Sequence, residues 1–205
     1  MLNGAGSLSD AELLAIFFRT GIRGVNAIEL AQQALLSSDG LSGLLGANHH
    51  DFCQYAGMGT AKYTQLQAAI ELAKRHLLHD LQRQTVFTSP QMVSDFLKLE
   101  LKGQQRELFM VLFLDSQNRL ITHEVLFSGT VDSASVYPRE VVKAGLKHNA
   151  AAVIFAHNHP SGIAEPSQAD KLITNKLVQS LSLVDIRVLD HMVIGGSSCV
   201  SFAER

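Results

Sequence analysis

The sequence predicts an all-α N-terminal module followed by an α/β sandwich with a mixed sheet. Two observations predict this division. Glycine turns separate amphipathic helical segments in residues 1–80, whereas strand-sized apolar runs alternate with helical segments in residues 89–205. A more polar stretch, residues 81–88, lies between them and is expected to be a linker. The chain has 205 residues, 46% of them hydrophobic, which is enough for a core in each part.

The N-terminal module is predicted to contain four helices. The first follows a capping box formed by Ser9 and Glu12, whose side chains can satisfy backbone N–H groups at the helix start, and it runs to Phe18. The others are expected over residues 26–36, 49–55 and 60–79. In the last of these, apolar residues recur at helical spacing and form one apolar face.

The C-terminal part alternates strands with helices. Strands are predicted over residues 108–114, 120–127 and 151–156, with two further candidates, 186–189 and 191–194, on either side of Asp190. Helices are predicted over residues 90–101, 138–148 and 167–181. The first of these helices begins with Pro90 after an N-cap at Ser89, a position where proline costs no backbone hydrogen bond.

Composition excludes several classes of protein. No apolar run is long enough to span a bilayer, and no basic region followed by an apolar run marks a secretory signal. Cys53 and Cys199 are far apart, so we expect neither a disulfide framework nor a cysteine zinc site, and a cytoplasmic location is expected. The net charge is −2 without a basic block, which argues against strong electrostatic binding of nucleic acid.

Two histidines and an aspartate form a candidate metal site. His157 and His159 follow an apolar strand at alternate positions and therefore project to the same side of the chain. Ten residues separate His159 from Asp170, which could add a carboxylate oxygen. Such a set leaves the fourth position of a tetrahedral zinc site open for water, although it could also hold iron(II). Alternatively, Asp170 serves only in a helix capping box with Ser167.

This pattern, His-x-His-Pro followed by Ser-x-x-Asp, resembles the signature of the JAMM (MPN+) metallopeptidases. Within that group the sequence is similar to the bacterial RadC proteins at residues 124–130, 137–141, 157–162, 190–191, 8–14 and 19–21. The resemblance therefore covers essentially the whole chain. RadC chains usually begin with a few more residues than precede Leu2, so we expect the natural N-terminus to be longer.

The resemblance implies a cytidine-deaminase-like α/β/α domain that holds one Zn²⁺ per chain through His157, His159 and Asp170. In JAMM enzymes a glutamate at the start of the first core strand is the general base, and this position corresponds to Glu107. Glu124, on the second strand, is the competing candidate. The serine that donates to the developing oxyanion corresponds to Ser167.

The function implied is that of a zinc-dependent hydrolase, a metallopeptidase or isopeptidase that cleaves an amide bond in a protein or peptide. The alternative is a non-catalytic accessory protein of DNA transactions, with a structural or vestigial metal site. His191 is expected either to lie beside the metal site or to be an ordinary packed or surface histidine.

A glycine-containing turn in the N-terminal module supports the alternative function, that of an accessory protein of DNA transactions. Residues 55–62 resemble a helix-hairpin-helix turn, in which Gly57 and Gly59 would let the backbone approach a DNA phosphate. Lys62 would contribute a charge, and the contact would be non-specific because phosphates carry no sequence information. The same glycines could instead form a plain connection between two helices.

Overall fold

The computed structural model describes residues 4–83, 90–101, 103–129 and 136–204. The chain divides into two compact units, Met1–Ala73 and Lys74–Arg205. Within the described ranges, no helix has the length and apolarity needed to cross a bilayer. 

The first unit is built from helices around one apolar core. Its described helices are α1 (Asp10–Phe18), α2 (Ala27–Ser37), α3 (Gly40–Gly46), α4 (His49–Phe52) and the first part of α5 (Thr60–Arg83). The core includes Leu14, Leu30, Leu44, Phe52 and Met58. The predicted capping box at Ser9 and Glu12 is present, so α1 begins where the sequence indicates.

The helices differ from the prediction in three places, and in the first of these α4 ends at Phe52 instead of at residue 55. Helix α3 was not expected, because glycines disfavour helices, but it places Leu44 in the core at 1% exposure. Helix α5 continues through Arg83, so residues 81–83 are helical rather than part of a linker. The reason is burial, since Leu81 is a core residue of the second unit. Residues 84–88 of the predicted linker lie outside the described ranges.

The second unit contains a five-stranded mixed sheet. Its strands are β1 (Leu108–Leu114), β2 (Leu120–Ser128), β3 (Ala152–Asn158), β4 (Arg187–Gly195) and β5 (Ser198–Ser201). Their spatial order is β2-β1-β3-β4-β5. Strands β3 and β4 are parallel, and the remaining neighbours are antiparallel. The predicted fold class, helices followed by an α/β domain with a mixed sheet, is therefore confirmed.

Helices cover both faces of this sheet. One face packs against α6 (Pro90–Leu101) and the end of α5, in a core that includes Phe96 and Leu112. The other face packs against α7 (Pro138–Lys147) and α8 (Gln168–Ser182), in a core that includes Phe113 and Phe155. Strands β1 and β3 are thus covered on both sides, which explains why they are continuous apolar runs in the sequence.

Strand β4 corrects the prediction of two short strands around Asp190. It is continuous because the carboxylate of Asp190 is satisfied inside the unit: it accepts hydrogen bonds from Ser201 Oγ at 2.6 Å and from the backbone N–H of Ala203 at 3.0 Å. Strand β5 was not predicted, since four residues, half of them serine, carry little strand signal. Strand β3 ends at Asn158, so His157 belongs to the strand itself.

Candidate metal centre

The three predicted ligands come together at one end of the sheet. His157 is the penultimate residue of β3, His159 follows the strand, and Asp170 lies in the first turn of α8. Their candidate ligand atoms all lie within 4.8 Å of one another. The His157 side chain is 1% exposed, whereas those of Asp170 and His159 are 13% and 19% exposed. The cluster is therefore buried on the β3 side and reachable from solvent on the other.

The spacing of the ligand atoms suits a small divalent cation. The two Nε2 atoms of His157 and His159 are 3.0 Å apart. They lie 3.4 Å and 3.5 Å from Asp170 Oδ1 and Oδ2, respectively. Zinc bonds of about 2.0–2.1 Å in tetrahedral geometry separate neighbouring ligand atoms by about 3.4 Å. The residues therefore fit a zinc ion with only a slight widening between the imidazoles.

The tautomer of His159 is fixed by its surroundings. Its Nδ1 lies 2.8 Å from the backbone carbonyl oxygen of Ile163. A carbonyl oxygen can only accept, so Nδ1 carries the hydrogen. In the neutral ring the lone pair is then on Nε2, which is the atom that faces His157 and Asp170.

Asp170 caps α8 and faces the site at the same time. Its Oδ2 accepts hydrogen bonds from the backbone N–H and the hydroxyl of Ser167, each at 2.7 Å. Burial raises the pKa of Asp170, but the contacts with His157 and Ser167 outweigh it and hold this pKa well below its usual value. The carboxylate is therefore ionised at neutral pH. The two interpretations of Asp170, helix cap and candidate ligand, are compatible.

His191 lies directly behind His157. Its Nε2 is 2.8 Å from His157 Nδ1, and its ring contacts the rings of Phe109, Phe155 and Phe202. Burial in these apolar surroundings, together with the nearby His157, lowers the pKa of His191 to about 3. The ring is therefore neutral at physiological pH. His191 is therefore both a packed histidine and a neighbour of the candidate site, so the two expectations for it are met together.

The loop from β3 to α8 rests on the end of β4. The backbone N–H of His159 donates to the carbonyl of Ile194 at 2.8 Å. Gly195 touches the loop so closely that a Cβ atom there would lie 2.3 Å from the backbone nitrogen of Ala164. Only glycine allows this approach, and the loop is thereby held against the sheet.

Glu107 immediately precedes β1 and is half-buried. Phe109, two residues later, pairs with His157 in the antiparallel β1–β3 ladder. Paired residues share a face of the sheet. The backbone carbonyl of Glu107 accepts a hydrogen bond from the N–H of Gly129 at 2.8 Å, so the pairing of the chain with its neighbour extends to Glu107. The alternation of β1 therefore places Glu107 on the face that carries His157.

Glu124 is held elsewhere by two basic side chains. Its Oε1 accepts hydrogen bonds from Lys147 Nζ at 3.0 Å and from His148 Nε2 at 2.8 Å. These contacts lower the pKa of Glu124. Glu124 is on β2, where it pairs with Val111 of β1, and β1 separates β2 from β3. Its carboxylate thus forms an ion pair with the end of α7.

The two glycines of the helical turn have different surroundings. Gly57 has a φ of +72°, and a Cβ there would lie 2.7 Å from Ile22 Cγ2. Packing within the helical unit therefore requires glycine at this position. Gly59 has no atom within 4 Å of where its Cβ would be, and Lys62 Nζ lies 5.9 Å above the ring of Phe18. The predicted phosphate contact of Gly57, Gly59 and Lys62 stays a prediction.

Two residues near the site were missed by the sequence analysis. Asn158 stands between the histidines, and Thr174 lies one helical turn after Asp170, where its hydroxyl is 2.6 Å from His191 Nδ1. The position of Asn158 within the motif was a usable signal, whereas Thr174 has no distinguishing sequence context.

Comparison with known proteins agrees with this architecture. Residues 87–205 match the family model described as a RadC-like JAB domain, and residues 1–64 match the model of the UPF0758 N-terminal domain. A UPF0758 protein of Pseudoalteromonas translucida is 65% identical, and one of Marinomonas is 59% identical. One of Aeromonas hydrophila is 56% identical. Each alignment covers 98% of this chain and 90% of the relative.

Proposed function

Because this chain belongs to the RadC family, with its RadC-like JAB domain, we propose that it is a zinc-dependent hydrolase that cleaves an amide bond in a protein or peptide. The observation that carries the proposal is the convergence of two imidazoles and an ionised carboxylate within 4.8 Å. The side chains of His159 and Asp170 are 19% and 13% exposed, so the site is partly open on the side where a substrate would approach.

The donor set favours zinc over other ions. Two nitrogen ligands and one oxygen ligand are typical of catalytic zinc sites, in which one tetrahedral position stays open. When bound, zinc would lower the pKa of a water molecule to about 7 and polarise the carbonyl of the scissile amide. The remaining chemistry falls to side chains of the protein.

Glu107 is the proposed general base. A carboxylate on the face of His157 could accept a proton from the attacking water and pass it to the departing amine. Glu124 is less suitable because Lys147 and His148 already hold its carboxylate and lower its pKa, which weakens it as a base.

Ser167 is the proposed donor to the developing oxyanion, a role that requires its hydroxyl to turn. In the structure this hydroxyl donates to Asp170 Oδ2 and accepts from the backbone N–H of Asp170. If it rotates toward the substrate, Asp170 keeps the hydrogen bond from the backbone N–H of Ser167. The capping box could therefore release one donor without losing its hold on Asp170.

The test is a peptidase screen of the whole chain. The zinc-loaded protein would be incubated with a proteome-derived peptide library and with linear and isopeptide-linked protein substrates. New amino termini in the products would then be identified by mass spectrometry. We expect cleavage by the natural protein and none by the Glu107→Gln variant. Stoichiometric zinc without cleavage of any substrate would favour the non-catalytic accessory role instead.

A further inference from the structure

A chain of hydrogen bonds behind the site joins two of the three candidate ligands. His157 Nδ1 lies 2.8 Å from His191 Nε2, and His191 Nδ1 lies 2.6 Å from Thr174 Oγ1. The Thr174 hydroxyl in turn lies 2.5 Å from the backbone carbonyl oxygen of Asp170. All the side chains involved are buried, at 9% exposure or less.

The direction of donation along this chain follows from its last step. The carbonyl oxygen of Asp170 can only accept, so the Thr174 hydroxyl donates its single hydrogen to it across the 2.5 Å contact. Thr174 Oγ1 can then only accept from His191, and His191 Nδ1 carries a hydrogen. In a neutral ring with its hydrogen on Nδ1, the lone pair is on Nε2, which then accepts from His157 Nδ1.

We propose that His191 and Thr174 are positioning residues that fix the ring orientation and the tautomer of His157 for metal binding. With the hydrogen held on Nδ1, the lone pair of His157 is on Nε2, beside His159 Nε2 and Asp170. This inference rests on the proposed metal site. It adds that Asp170 acts twice, through its carboxylate at the site and through its backbone carbonyl at the end of the hydrogen-bond chain.

The arrangement differs from the usual support of a metal-binding histidine. Such a histidine ordinarily donates to a carboxylate, a carbonyl or water, whereas the acceptor proposed for His157 is a second imidazole. A neutral imidazole has two tautomers, and only one of them accepts at Nε2. Thr174 selects that tautomer of His191. The Thr174 hydroxyl, which does not contact His157 in this chain, thereby determines which nitrogen of His157 presents a lone pair to the metal.

The test compares three threonine variants of the whole chain. Thr174→Val keeps the shape but removes the hydroxyl, so zinc affinity should fall about 10- to 100-fold, the usual effect of losing an outer partner of a metal ligand. Thr174→Ser should restore most of it. The matched control is Thr64→Val, because Thr64 also donates to the carbonyl four residues earlier, in α5, but contacts no imidazole through that bond. Affinity would be measured by competition with a chromophoric chelator.

A second readout separates positioning from simple destabilisation. Long-range ¹H–¹⁵N NMR of histidine-labelled, zinc-free protein reports which ring nitrogen is protonated. We expect Nδ1-protonated His157 in the natural protein and in Thr174→Ser, and loss of this preference in Thr174→Val. An unchanged tautomer in Thr174→Val, or Nε2-protonated His157 in the natural protein, would overturn the inference. A natural protein that binds no zinc would refute only the proposed zinc-dependent function, because the NMR experiment needs no metal.

His191 provides a parallel test. His191→Gln places an amide oxygen near the position of Nε2 and should keep part of the zinc affinity. His191→Phe offers no acceptor and should lose at least as much affinity as Thr174→Val. Equal affinities for the Gln and Phe variants would contradict the proposed acceptor role.

Discussion

Asn158 Oδ1 accepts a hydrogen bond from the backbone N–H of Leu108 at 2.8 Å. The same side chain donates from Nδ2 to the carbonyl of Arg106 at 3.0 Å. Its two partners stand on either side of Glu107, so the residue between the two candidate histidine ligands also fixes the backbone of the proposed base. Asn158 is 3% exposed, which makes these hydrogen bonds costly to lose.

Asn158→Leu should therefore destabilise the protein and displace Glu107. A buried polar group without a partner costs about 1–3 kcal/mol, so we expect a loss of at least that size in the free energy of unfolding by urea. Zinc should still bind, because the three ligands remain. Asn175→Leu, at an exposed position of α8, is the control and should change stability by less than about 0.5 kcal/mol. Equal stabilities of the two variants would contradict the role given to Asn158.

Removal of the imidazole ligands should abolish metal binding. We expect about one zinc per natural chain by elemental analysis, since three ligands leave room for one ion. The double variant His157→Ala, His159→Ala should contain none, whereas His50→Ala, which alters an exposed histidine, should keep the full amount. Full occupancy in the double variant would place the metal elsewhere.

Glu107→Gln should separate binding from catalysis. Glutamine cannot take a proton from water, so hydrolysis should fall by about 10²-fold or more. Zinc content and unfolding midpoint should stay near those of the natural protein. Glu124→Gln should lower the rate much less, because its carboxylate is held by Lys147 and His148. The reverse ranking of rates would assign the base to β2.

Glu124 should instead contribute to stability in a pH-dependent way. Hydrogen bonds from Lys147 and His148 lower the pKa of Glu124 from 4.5. A carboxyl group with a lowered pKa stabilises the fold above its unfolded pKa and loses this contribution as the pH falls through the folded pKa. Glu124→Gln should thus be less stable at pH 7, by at most about 1 kcal/mol because the side chain is 34% exposed. Urea denaturation should show this difference disappearing below pH 4.5.

The helical unit should bind duplex DNA weakly and without sequence preference. Few phosphates can be neutralised by its basic groups, so affinity should be micromolar or weaker, with a shallow salt dependence. Gly59→Val and Lys62→Gln in the whole chain should abolish binding in fluorescence titrations at low salt. Gly57→Val would not test this point, because its side chain would collide with Ile22 and disturb the core. Lys176→Gln removes an exposed charge on α8 and is the control. No binding by the natural chain would contradict the prediction and leave packing against Ile22 as the role of Gly57.

Local patterns predicted the elements whose burial follows from the sequence alone. Strand β1 is buried on nearly its whole length, and the apolar run gave its two ends. Helix α3 was missed because three of its seven residues are glycine, and its formation depends on burying Leu44 in a core built by other helices. The sequence predicts a break at Asp190 because the groups that satisfy its carboxylate, on Ser201 at the end of β5 and on Ala203 just after it, lie 11 and 13 residues later.

The candidate site shows the same limit. The spacing of His157, His159 and Asp170 was visible in the sequence because all three lie around one loop. The partners of Asn158 lie about 50 residues earlier, and those of His191 are on β3 and α8. Such contacts depend on strand order and register, which the sequence does not display.

The contact between Gly195 and Ala164 gives the ten-residue spacing of the motif a mechanical meaning. The loop is attached to Ile194 at its start, presses on Gly195 in its middle and ends in the capping box of α8. The ten residues of the loop are therefore the number needed to cross the end of β4 between these two fixed ends. Deleting one residue would either pull His159 away from Ile194 or unwind the first turn of α8. A methyl group added at position 195 would push the middle of the loop, at Ala164, away from β4. This displacement would move His159 and Asp170, although the methyl group contacts neither.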